Sequence, residues 1–146
     1  MRRAVRAIIV ENDQLLVMQR NKYGSNYFTL VGGAVQEGET DEQALVREVK
    51  EETGMTVIAA TLMFVEKHPA PYNEQYIYYC NVAPHNGAAI QPDSEEGEMN
   101  TYGANTHQPA WIHIRAFHNL PFRTPQLHEA LAKAFKKGFP KEPLHL

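Results

Sequence analysis

Two apolar runs open the chain. Ala4–Val10 (AVRAIIV) and Gln14–Arg20 (QLLVMQR) are separated by the turn cluster Glu11-Asn12-Asp13, a pattern that predicts a β-hairpin. Tyr27–Val31 predicts a third short strand running into Gly32-Gly33. Such a glycine pair marks backbone that takes a positive φ or lies very close to a neighbour. Thr40 to Gly54 predicts a helix. Thr40 and Gln43 have the spacing of a capping box, Asp41 and Glu42 suit the positive end of the dipole, and Gly54 suits a left-handed stop.

Met55–Lys67 and Gln75–Val82 read as strands. In the second, Tyr76, Tyr78, Cys80 and Val82 alternate with Ile77, Tyr79 and Asn81, so each set takes one face. Ala83–Pro109 is rich in turn formers and lacks a period, which predicts a long loop carrying Asp93, Glu95, Glu96 and Glu98. Ala110–Arg115, around Trp111, predicts a last short strand. Thr124-Pro125 opens a second helix, whose Leu127, Ala130, Leu131, Ala134 and Phe135 form one apolar stripe, and Gly138 with Pro140 ends it. Strands, a helix, more strands and a terminal helix predict an α/β fold, a mixed sheet with helices packed on its faces. No repeat or linker interrupts 1–146, so a single domain is expected.

Composition narrows the class. The chain has 146 residues and a formal charge of −3, which gives no basic field for gripping a nucleic-acid backbone. The one cysteine, Cys80, cannot form an internal disulfide, so a reducing, cytoplasmic setting is expected. No early apolar run is long enough for a signal-peptide core or a membrane span. A small-molecule substrate is therefore expected, with no nucleic-acid polymer and no membrane. The seven histidines show no paired metal-binding spacing.

The chemistry concentrates on the first helix. Glu48, Glu51 and Glu52 stand at i, i+3 and i+4, on one arc roughly 100° wide. Leu45 and Val49 beside them face the core, which places the three carboxylates at its rim, where mutual repulsion is costly. Arg47 balances only part of this charge. A hard divalent cation such as Mg²⁺ balances the rest, since it takes carboxylate oxygens and typically bridges them to phosphates. Metal and carboxylates together suggest hydrolysis of a phosphoanhydride, with a spare carboxylate removing a proton from water.

The wider pattern sharpens this reading. Gly33, five residues, Glu39, seven residues, then Arg47-Glu48-Val49-Lys50-Glu51-Glu52-Thr53-Gly54-Met55 resembles a complete Nudix box, with all seven fixed positions matched. At ordinary residue usage a chance match is of order one in ten million. The resemblance implies the Nudix fold and Mg²⁺- or Mn²⁺-dependent hydrolysis of a nucleoside diphosphate linked to another group. It implies metal binding by Glu48, Glu51 and Glu52, a further ligand in the Gly32 carbonyl, and support of the metal site by Glu39. Glu51 and Glu52 are the candidate catalytic carboxylates, and Arg47 joins the catalytic set by orienting them.

The sequence departs from the family's usual pattern in two places. Val31 stands where many members have proline. Thr106, His107 and Gln108 precede Trp111 where many have a glutamate, which leaves Glu96 and Glu98 as candidate loop bases. Arg20 and Lys22, at the end of the second strand, are candidate phosphate contacts. Pro71 and Tyr72 together match the markers of both ADP-ribose and dinucleoside-polyphosphate members, so Tyr72 is a candidate substrate contact but does not name the substrate. Phe28, Tyr76, Tyr78 and Trp111 are aromatic rings able to stack a base or pack the strands. The alternatives are a non-catalytic nucleotide-sensing domain on the same scaffold and an isoprenoid-diphosphate isomerase. Intact box carboxylates weigh against the first and a single cysteine against the second. A homodimer is expected by association with proteins of this kind.

Overall fold

The computed structural model describes residues 2–67, 74–87 and 105–146. Its strands are β1 (Arg3–Ile8), β2 (Val10–Glu11), β3 (Gln14–Lys22), β4 (Ser25–Thr29), β5 (Val31–Ala34), β6 (Val57–Lys67), β7 (Glu74–Val82), β8 (Asn105–His113) and β9 (Leu144–His145). The helices are α1 (Asp41–Thr53) and α2 (Pro125–Lys137). The mixed α/β class is as expected, and the strands divide into two sheets. One is mixed, in the order β5-β1-β7-β6-β9, with β1 parallel to β7 and antiparallel to β5. In the other, β2, β4 and β8 all pair antiparallel with β3.

The expected hairpin survives only as a stub. Val10 and Glu11 pair with Leu15 and Gln14 across a turn in which Asn12 and Asp13 both take positive φ, while β1 belongs to the other sheet. The turn residues specify a local reversal, and nothing local specifies how far the pairing extends. The expected strand Tyr27–Val31 likewise breaks at Leu30: β4 pairs with β3, and β5 pairs with β1. The last strand begins at Asn105, inside the expected loop, and pairs with the full length of β3. Pro109 lies within it, opposite Met18. Among the described residues β8 pairs only with β3, and a proline is tolerated on an edge strand because no ladder N–H is needed from it.

β1 and β3 read as continuous apolar runs because both of their faces are buried. Val5, Ala7, Leu16 and Met18 join one core, under Ala44, Leu45 and Val49 of α1. Ile8, Leu15 and Val17 join a second, under Leu127, Leu131 and Ala134 of α2. The alternation seen in β7 holds: Tyr76, Tyr78, Cys80 and Val82 pack on the first core, Ile77 and Tyr79 on the second. The cysteine packs as a small hydrophobe, and burial pushes its thiol pKa up to about 12. No helix among the described residues is long and apolar enough to cross a membrane.

Candidate active site

The box residues are brought together by one helix and one strand. Helix α1 begins with the expected capping box: Gln43 N–H donates to Thr40 Oγ1 at 3.1 Å, and Thr40 N–H donates to Gln43 Oε1 at 2.9 Å. It ends on Gly54 at φ 78°. Its acidic arc faces β5, where the two glycines set the spacing. Gly32 has φ +147°, and a Cβ there would lie 2.0 Å from the Val5 carbonyl oxygen. A Cβ on Gly33 would lie 2.6 Å from Glu48 Oε1, so the absence of a side chain is what seats the Glu48 carboxylate.

The three glutamates are not equivalent. Glu48 is 6% exposed and Glu52 3%, deeper than the rim position expected, whereas the Glu51 side chain is 37% exposed. Gly32 N–H donates to Glu52 Oε1 at 2.8 Å. Arg47 holds the rest. Its Nε and Nη2 donate to the two oxygens of Glu39 at 2.7 and 3.0 Å, its Nη1 to Glu48 Oε1 at 2.9 Å, and its Nη2 also to the Ala34 carbonyl at 2.9 Å. The i+4 contact to Glu51 is the longest at 3.5 Å. The hydrogen bonds from Arg47 hold the Glu39 carboxyl below the usual range, and Glu39 in turn holds the guanidinium pKa well above its own.

These donors suit a hard cation: oxygens only, two of the three glutamates buried, and backbone close by. Among the described residues no three acidic or histidine side chains converge as a ready-made cage. A cation held by a few carboxylates and its own waters, the usual mode of Mg²⁺, is the binding such an arrangement allows.

Arg20 and Lys22 part company. Lys22 is exposed at the end of β3, whereas Arg20 turns into a cavity of about 140 Å³ lined also by Arg6, Tyr27, Gln75 and Arg123. Its Nη2 donates to His107 Nε2 at 2.9 Å, which makes the imidazole an acceptor. Burial first, then the charges of Arg20, Lys22 and Arg6, push the His107 pKa down to about 4. Arg6 and Arg123 were not singled out in the sequence. An arginine inside the apolar run AVRAIIV was the available signal for Arg6, while Arg123 had none beyond its place before the second helix. Tyr72, Glu96 and Glu98 lie outside the described residues. The aromatic candidates pack: Phe28 borders the second core, the Tyr76 and Tyr78 hydroxyls donate to Glu74 and Asp41, and Trp111 lies parallel to His85 at 6.3 Å.

The family model described as NUDIX domain matches residues 1–134. The chain is 33% identical over 86 residues to the NAD-capped RNA hydrolase NudC of Photobacterium profundum, covering 59% of this chain and 31% of that protein. It is 43% identical over 63 residues to the ADP-ribose pyrophosphatase of Methanocaldococcus jannaschii, covering 42% and 37%. The chain thus spans about a third of the length of these curated relatives. Among solved structures, a NUDIX hydrolase from Nitrosomonas europaea aligns with a TM-score of 0.71 at 17% identity, over 99% of this chain and 78% of that one. An ADP-ribose pyrophosphatase from Streptococcus suis aligns with a TM-score of 0.68 at 20% identity, over 99% and 98%. These likenesses carry the fold. The relatives are named for RNA as well as for small nucleotides, so the expected exclusion of a nucleic-acid polymer finds no support in them. A box seated on a glycine-backed helix is thus joined by a family model that spans nearly the whole chain, and the chain belongs to the Nudix family.

Proposed function

We propose that this chain is a divalent-metal-dependent pyrophosphohydrolase. It cleaves a phosphoanhydride bond of a nucleoside diphosphate linked to another group, with nucleoside triphosphates and nucleotide sugars as first candidates. The observation that carries this reading is the seating of Glu48 and Glu52, buried carboxylates held against the glycine pair by Arg47 and the Gly32 N–H. Buried carboxylates on one face are costly unless something cationic shares them.

Glu48, Glu51 and Glu52 would hold Mg²⁺ or Mn²⁺, with the Gly32 carbonyl as a further oxygen donor. When bound, such an ion neutralises phosphate charge and lowers the pKa of water. Both Glu39 oxygens are occupied by Arg47, so Glu39 supports the site through that arginine. Arg47 is a positioning residue: its guanidinium fixes the carboxylate of Glu48 and, at longer range, that of Glu51. Glu51, the most exposed of the three, is the carboxylate open to water and takes the proton at its carboxyl oxygen. Glu52 is tied through Oε1 to the Gly32 N–H, which keeps α1 and β5 in register as charge develops.

The test is a panel of dNTPs, oxidised dNTPs, ADP-ribose, dinucleoside polyphosphates and nucleotide sugars, assayed with Mg²⁺ or Mn²⁺ and again with chelator. Turnover should vanish with chelator and return with metal. Glu52→Gln should lower kcat about 10²–10⁴-fold with the fold intact by circular dichroism. Turnover by Glu52→Gln at the wild-type rate refutes the site.

A further inference from the structure

The basic cavity has a chemistry of its own. Arg6, Arg20 and Arg123 come from β1, β3 and the segment before α2, and line one chamber of about 140 Å³. None of the three has a carboxylate within salt-bridge distance among the described residues. Arg6 donates to Gln75 Oε1 at 3.1 Å and to the Leu30 carbonyl at 3.3 Å. Arg123 lies over the Tyr27 ring at 3.8 Å, and Arg20 approaches the same ring at 5.7 Å. Arg20 Nε is buried with no hydrogen-bond partner among the described residues. The nearby acid, Glu66, is 2% exposed and bound instead by Gln75 Nε2 at 2.8 Å and by the Thr124 hydroxyl. Three guanidiniums thus line one chamber with no carboxylate among the described residues that line it.

Such an arrangement is unfavourable unless an anion completes it. The size indicates which one. Pockets that enclose a whole drug-sized ligand run to about 300 Å³ or more, so this chamber suits a phosphoryl group and its waters rather than a nucleoside. Arginine is suited to the task by its planar fork of N–H donors. The N-terminus of α2 lines the chamber through Thr124 and Leu127 and adds its dipole in the same sense. The position is also right. Arg6 pairs in register with Gly32 and bonds Leu30, two residues before the glycine whose N–H holds Glu52. Two residues of extended backbone span about 7 Å, so chamber and carboxylate face adjoin.

We propose that Arg6, Arg20 and Arg123 form a phosphate pocket that holds a phosphate of the substrate other than the two joined by the cleaved bond. Resting on the hydrolase reading above, this makes the substrate a nucleotide with at least one phosphate beyond that pair, in preference to a nucleotide sugar whose distal group is neutral.

Binding and turnover test it separately. In chelator, with no metal and no hydrolysis, calorimetric titration of the wild-type protein with inorganic tripolyphosphate should show one site. Arg6→Gln and Arg123→Gln should each weaken it about tenfold or more, the loss of one charge-assisted contact. Arg123→Lys should recover part of that loss. Arg115→Gln, which removes the same charge outside the chamber, should leave binding unchanged within about twofold. In turnover, Arg123→Gln should raise KM for a nucleoside triphosphate about tenfold relative to KM for ADP-ribose, with kcat nearly constant. The pocket is overturned if wild-type protein does not bind tripolyphosphate, or if both glutamine variants bind it as well as wild type. The wild-type titration decides the matter even where a variant fails to fold. If no nucleotide is hydrolysed but tripolyphosphate still binds through these arginines, the hydrolase reading falls and the anion pocket stands.

Discussion

The two halves of the proposed site are built in opposite ways. The acidic half lies within 23 residues of chain, Gly33 to Met55, and its members are tied to one helix. The basic half gathers Arg6, Arg20, Gln75 and Arg123 from elements that span most of the sequence. Each acid has a short-range reason to be where it is: helical spacing, a capped start, glycines opposite. Each arginine has only a tertiary reason. In the acidic half part of the charge is balanced within the protein by Arg47, whereas in the basic half the arginines have no carboxylate in reach among the described residues. Charge complementarity across a site is therefore legible locally on one side and only globally on the other.

The sharpest way to break this contrast is at the join. Gly32→Ala places a Cβ against the Val5 carbonyl at a backbone angle that favours glycine, and it shifts the N–H that holds Glu52. It should cost about 3 kcal/mol or more of stability and impair both halves together. Urea denaturation with a parallel activity assay checks this, and a variant as stable and active as wild type would show the close approach to be incidental.

Arg47→Gln tests the acidic half alone. Glu39 loses a two-point partner and Glu48 keeps its burial with less neutralisation. We expect kcat to fall about 10–100-fold with KM nearly constant, together with about 2 kcal/mol of stability. Arg47→Lys should restore less than half of the kcat loss, because lysine cannot fork between Glu39 and Glu48.

The smallest effect reads the field of the basic half. His107 is 6% exposed, and its pKa is pushed down to about 4, below its ordinary value of 6.5. The unfolded chain therefore takes up this proton first as pH falls. Its contribution to stability is complete above about pH 6.5 and is lost as pH drops towards 4, at no more than about 1.4 kcal/mol per pH unit. His107→Asn should flatten that slope in denaturation curves from pH 7 to 4. In the wild type, tripolyphosphate should shallow it, since an anion among the arginines offsets part of the charge acting on the imidazole.

Much of the fold was readable in advance, and the misses have a common cause. The capping box, the Gly54 stop, the stripe of α2 and the two faces of β7 are all set by neighbours a few residues away, and all hold. The first hairpin and the third strand differ from expectation because Ile9 and Leu30 are points where the chain changes sheet. Turn residues specify that a strand ends, not which strand comes next to it. The start of β8 inside the expected loop was not legible because its pairing partner β3 lies far away in sequence.

By itself, the sequence determined where the helices start and stop, which face of α1 carries the carboxylates, and which family box they form. Helix period, capping and glycine spacing act over a turn or two and need no knowledge of the rest of the chain. Only the tertiary structure decided that Glu48 and Glu52 are buried while Glu51 is not, that Arg47 grips Glu39 more closely than Glu51, and that three arginines share one chamber. Burial and long-range charge depend on what packs from distant segments, and a chain read in order does not contain that information until its strands are paired.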